Sequence, residues 1–287
     1  MKTIKLLSAI FIFAITFSSC TFDDDTIDPS VEAYNKADFT NGGIMYDKFW
    51  ASESNFDQTN PLKETVNAKA DFFRCKQCHG WDGLGNKGAY INRGPKTSRP
   101  NVSGLNIYAM GQSKSAQELF DDLSKTSGRR SIATDLSTYD PATNKTEGDK
   151  MPNLTELLTD AQIWDLVKFM KEGMMDVSQL YDATFTGTYP TGSMTISNVG
   201  RDGNAANGKN YYNSNCASCH GASGTTLVLE GMTVGQFTRK KANEVQHKVH
   251  YGQLGSSMSG EFDITVSQMK DLYKALANET DFPDVES

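Results

Sequence analysis

Apolar residues recur at helical spacing in two separated segments of the chain, and both segments open with the same cap. Ile163, Leu166, Val167 and Met170 follow Thr159-Asp160-Ala161-Gln162, and Met269, Leu272, Tyr273 and Leu276 follow Thr265-Val266-Ser267-Gln268. In each, the threonine hydroxyl and the glutamine side chain satisfy one another's free N–H groups, which predicts two amphipathic helices, the first stopped by Gly173. Upstream of each lies a further predicted helix: Ser115 to Lys125, with a Ser115/Glu118 capping box, and Asn243 to Tyr251, ended by Gly252. Gly208 to Asn215, with Tyr211 and Tyr212, reads as a short helix, and Asn67 to Arg74, with Phe72 and Phe73, as its looser counterpart. The duplicated order predicts an all-α fold with long loops and an internal repeat. Between the halves, residues 177–204 are rich in Thr, Gly and Ser and read as a linker, with Thr184 to Pro190 as a short extended stretch.

One apolar run is of another kind. Leu6 to Phe17 is continuous, preceded by Lys2 and Lys5 and followed by Ser18-Ser19-Cys20, which is the pattern of an export signal over residues 1–19. Because the run ends at a cysteine, it resembles a bacterial lipoprotein signal, which implies acylation of Cys20 and membrane attachment through that lipid. A plain secretory signal peptide is the alternative. Residues 20–40 read as an acidic tether, in which Asp23-Asp24-Asp25 resembles tracts that route some bacterial lipoproteins to the cell surface, and 281–287 read as a tail. No later stretch approaches the ~20 apolar residues of a membrane span.

With 38% hydrophobic and 22% charged residues the chain has the makings of packed cores. The formal charge of −7 becomes −9 once residues 1–19 are removed, since Lys2 and Lys5 leave without any acid. Such a surface disfavours nucleic acid as a partner.

The five cysteines account for themselves. Cys20 ends the signal, and the other four lie in Cys75-Lys76-Gln77-Cys78-His79 and Cys216-Ala217-Ser218-Cys219-His220. Both pentads fit the c-type haem attachment pattern, in which two thiols one turn apart bond the haem vinyl groups and the adjacent histidine ligates iron. The competing reading, a structural zinc site or redox dithiol, needs no histidine after each second cysteine and suits a reducing compartment.

Pentad, later methionine and capped C-terminal helix, occurring twice, resemble the monohaem class I cytochrome c fold in tandem. The resemblance covers roughly residues 65–175 and 205–280 and implies a first domain at 41–176 and a second at 205–280. It implies two covalent haem c groups held by Cys75, Cys78, Cys216 and Cys219. It further implies iron ligation by His79 and Met151 in the first site and by His220 and Met258 in the second, with His247 or His250 as alternatives to Met258. Arg74 to Gly83 and Gly43 to Trp50 also resemble a subgroup of exported dihaem cytochromes with an extended first domain, the latter stretch being its opening helix. The implied function is single-electron transfer between redox partner proteins in the cell envelope of a Gram-negative bacterium, facing the periplasm or the surface. A dihaem oxidoreductase, such as a peroxidase or a sulfur-compound dehydrogenase with one open or His-ligated haem, is the alternative.

Overall fold

Asp28 and Asp38 cap two consecutive helices, α1 (Pro29–Lys36) and α2 (Phe39–Lys48), by accepting the N–H groups of Ser30 and Thr40. The computed structural model describes residues 28–51, 56–96, 99–132 and 151–284. The export signal, Cys20, Asp23 to Asp25 and residues 133–150, in the stretch between the first pentad and Met151, lie outside them. The C-terminal part of the stretch read as a tether is thus helical: α1 lies on α7 (Asp160–Lys168), and Tyr34 donates to Glu172 at 2.5 Å.

The chain is mostly helical. After α2 come α3 (Lys63–Ala68), α4 (Cys75–His79), α5 (Ile107–Ser113), α6 (Ala116–Ser124) and α7, which runs on into a π-helical turn, Phe169–Gly173. A two-stranded antiparallel sheet follows, β1 (Asp182–Thr186) against β2 (Ser193–Ser197), with Asp182 opposite Ser197. Then come α8 (Ala205–Asn215), α9 (Ala217–His220), α10 (Val234–Lys240), α11 (Ala242–Tyr251) and α12 (Val266–Leu276). Among the described residues no helix is long and apolar enough to cross a membrane.

The expected capping boxes at Ser115, Thr159 and Thr265 are all present. Asn67 to Arg74 departs from expectation, being split between the end of α3 and a 3-10 turn at Ala70–Phe72. The counterpart of α8 is instead α2, and the backbone shows why. Asp165 of α7 accepts the Asp38 N–H at 2.7 Å, and Asp271 of α12 accepts the Asn204 N–H at 2.7 Å. Four residues further on, Gly42 and Gly208 let the helices touch: a Cβ there would sit 2.1 Å from the Asp165 carbonyl oxygen and 1.9 Å from that of Asp271. Gly208→Val is therefore expected to destabilise the protein by about 3 kcal/mol, read as a lowered thermal midpoint.

Two segments read as irregular carry core residues. Val177, Leu180 and Tyr181, at the start of the linker, are buried in one cluster with Tyr212, Leu272 and Tyr273. Phe282, in the expected tail, is fully buried, edge-on to Tyr212, and Thr233 donates to the Pro283 carbonyl at 2.7 Å. The sheet qualifies the all-α expectation, because the linker's extended stretch folds back on itself as a hairpin.

Candidate functional site

Each pentad is a single helical turn closed by a glycine in the left-handed region, Gly80 at φ 77° and Gly221 at φ 78°. That turn points both cysteines and the histidine to one side, and an extended residue could not follow it in the same way. A tyrosine one helical turn beyond the crossing glycine holds each closing residue. Tyr46 Oη donates to the Gly80 carbonyl at 2.6 Å, and Tyr212 Oη to the Gly221 carbonyl at 2.7 Å. The next turn also repeats. Gly83 and Gly224 carry positive φ, and their carbonyls accept the first N–H of α5 (Ile107, 2.9 Å) and of α10 (Val234, 3.0 Å).

In the first half these elements enclose a cavity of about 790 Å³. Cys75, Cys78, His79 and Met151 all line it, so the structure brings together the four residues expected to hold the first haem. Met151 is placed by backbone pairing: its carbonyl accepts the Arg130 N–H at 3.1 Å, and the Asn153 N–H donates back to Arg130 at 2.9 Å. The walls are mainly apolar, among them Leu119, Leu154 and Phe169, while Lys114 and Arg129 add basic groups. Arg129 Nε is buried without a partner, and its Nη2 donates to the Asp122 carbonyl. An apolar slot edged by cations suits a flat macrocycle that bears two carboxylates, and the size lies in the range of cofactor sites.

Two contributors to this cavity, Tyr46 and Tyr189, are not legible in the sequence. Tyr46 was separated from its pentad by an inserted segment, although its spacing from Gly42 matches that of Tyr212 from Gly208. Arg129-Arg130 reads in the sequence as a solvated loop able to reach haem propionates, and both arginines line the cavity. Tyr189, in the expected linker, also lines the cavity and accepts the Val102 N–H at 3.3 Å.

Burial lowers the His79 pKa to about 4, with the Arg129 charge adding to the effect, and burial lowers that of His220 against the opposing influence of the Leu227 carbonyl. Nδ1 of each ring is buried without a hydrogen bond. Both imidazoles are thus neutral near pH 7, the form that binds metals. None of the four described cysteines is in a disulfide. Burial pushes Cys75 up to about 12 and Cys216 to about 11, the opposite of the lowered value that makes a redox thiolate. Among the described residues no three His, Cys, Asp or Glu side chains are placed to hold a metal ion together, so the cysteine pairs do not converge as a zinc site would require.

The second half places Cys216, Cys219 and His220 at the end of α8, with Cys216 against the apolar cluster beneath α12. Met258 is half-buried in the loop from α11 to α12. Its carbonyl accepts the Gln253 N–H at 3.1 Å and its N–H donates to Ser256 Oγ at 3.1 Å. The same loop is tied toward the pentad, since Glu261 accepts from Tyr211 Oη at 3.0 Å and its charge raises the Cys216 pKa. His247 goes elsewhere: its ring lies 4.9 Å from Trp81 and 5.8 Å from Tyr46. His250 Nε2 lies 2.9 Å from the Phe262 carbonyl oxygen, and its ring is stacked on Tyr251.

Asp82 organises the loop after the first pentad by accepting the N–H groups of Leu84 (3.1 Å) and Ala89 (2.8 Å). Burial raises its pKa to about 6, although those two amides pull it down. The folded chain therefore keeps a proton that the unfolded chain has released by pH 5. Stability from this group is complete below about pH 4 and is lost as pH rises through 6, by up to ~3 kcal/mol. Urea midpoints between pH 4 and 7 should show this slope, and Asp82→Asn should flatten it.

Residues 66–173 match the cytochrome c family, and residues 203–274 match the family of cytochrome c oxidase, cbb3-type, subunit III. No curated protein and no solved structure matches the chain. Each matched segment contains one pentad together with the capped helix that follows it. The chain thus contains a cytochrome c domain and a cbb3-type cytochrome c domain, which mark a c-type cytochrome, imply covalently bound haem c and support a haem electron-transfer protein in general.

Proposed function

We propose that the protein is an exported dihaem cytochrome, built as two tandem cytochrome c-like domains, that passes single electrons between redox partners in the cell envelope. The observation that carries this reading is the repeat, in both halves, of the elements that seat the pentad: the Asp-capped helix crossing, the tyrosine clamp on the closing glycine and the glycine turn beyond it.

Bound haem supplies one-electron exchange between ferrous and ferric iron. Cys75 and Cys78 anchor the first group, and Cys216 and Cys219 the second. His79 and His220, kept neutral by burial, each offer a nitrogen lone pair. Met151 and Met258, held by loop backbone bonds, would each offer a thioether sulfur as a second iron ligand, a ligand pair suited to electron exchange rather than to peroxide chemistry. Arg129 and Lys114, which line the first cavity, would offer positive charge to the first haem's carboxylates. The acyl group on Cys20 would keep the protein at a membrane of a Gram-negative envelope, facing the periplasm or the surface.

Spectroscopy of the purified mature protein tests the ligation. Low-spin signals from both haems, without peroxide turnover, are expected. A high-spin fraction amounting to one haem, with peroxide consumption, would replace electron transfer by the oxidoreductase reading.

A further inference from the structure

α11 belongs by sequence to the second half, yet one face of it is built into the first. Gln246 Nε2 donates to the Trp81 carbonyl at 2.7 Å, two residues beyond His79. Tyr251 Oη donates to the Gly173 carbonyl, in the π-turn that ends α7, also at 2.7 Å. Both bonds are buried. Two glycines make room for the tyrosine: a Cβ on Gly43 would meet its ring at 2.2 Å, and one on Gly173 would meet its hydroxyl at 2.5 Å. His247 fills the space between, in ring contact with Trp81, Tyr46, Phe169 and Tyr251. Tyr46 and Phe169 are themselves walls of the first cavity.

The far end of α11 reaches the second site. The Glu261 N–H donates to the Val249 carbonyl at 2.9 Å, and a Cβ on Gly252 would sit 2.7 Å from the Met258 carbonyl oxygen, so the methionine loop is folded directly against the end of the helix. A continuous packed column therefore joins the first cavity's wall to the loop that carries Met258.

We propose that α11 is the bridge between the two redox sites: Tyr251 and Gln246 are positioning residues that lock the halves into one body, and the His247 cluster fills the path electrons take between them. This rests on the dihaem reading. A single electron crosses per event, leaving one iron ferric and making the other ferrous; no bond forms or breaks and no proton moves. Buried hydrogen bonds across the contact favour one orientation, because each would otherwise leave an unpaired polar group.

The test compares the haem-loaded full chain with Gly43→Leu, which fills the tyrosine seat, and with the double variant Tyr251→Phe, Gln246→Leu, which removes both bonds without adding bulk. One haem is photoreduced, and the concentration-independent redistribution of the electron is timed, alongside small-angle scattering of the same samples. Both variants should slow redistribution by about tenfold or more and increase the radius of gyration, with each haem's own spectrum unchanged. Unchanged redistribution and an unchanged radius in both variants would overturn the bridge. A wild-type protein with fewer than two haems would instead sink the dihaem reading, while the scattering comparison would still decide whether α11 docks the halves.

Discussion

Replacing Cys75 and Cys78 together by serine is expected to lower the covalent haem content from two per chain to one, with the second site's spectrum intact. Both thiols line the first cavity, neither is in a disulfide, and no other cysteine lines that cavity to form a thioether. Without its occupant the first half would be left with an apolar void of about 790 Å³, far larger than the engineered cavities that already cost several kcal/mol, and its core would have to collapse or fill. The thermal midpoint of that half should fall by roughly 10 °C or more. Cys216→Ser with Cys219→Ser should remove the other haem in the same way. Haem stoichiometry in denatured protein, with intact mass, reads all of these. Two haems remaining in the first variant would mean that the pentad is not the attachment site.

Met151→Ala carries the second large effect. The loop around Met151 is held by the exchange of backbone bonds with Arg130, so the truncation removes the sulfur while the chain path survives. The first haem should lose its sulfur-to-iron band and gain a high-spin component. Its potential should fall by on the order of 0.1 V, a modest part of the ~0.8 V that axial ligands span. Met258→Ala should act likewise on the second haem. His247→Leu should leave both ligand-field spectra as they are, because that ring is packed among Trp81, Tyr46, Phe169 and Tyr251. A band lost on changing His247 or His250, and retained on changing Met258, would transfer the ligand role to histidine.

Local features were legible in the sequence because their causes are local. The pentads, the three capping boxes and the Gly252 stop depend on neighbours within a turn of helix, and each stands where the residue pattern puts it. What escaped notice depends on residues far apart in the chain. The kinship of Gly42 and Tyr46 with Gly208 and Tyr212 was hidden because α2 is parted from its pentad by α3 and its loops, whereas α8 runs straight into α9. Phe282 lies in a polar stretch, and only the fold reveals that Tyr212 waits for it. His247 and His250 could be numbered among ligand candidates because a helix pattern does not say which face meets a pentad and which meets another helix. Tyr189 likewise sits in a run that reads as a connection, and its place at the first cavity comes from the hairpin.

Covalent haem at both cysteine pairs is the central claim, and intact mass spectrometry tests it directly. The mature protein, made in a host that ligates haem and then denatured and stripped with acid and organic solvent, should retain the mass of two haems, one on each pentad-bearing peptide. Retention of none, or a zinc ion lost on denaturation in place of either haem, would contradict it.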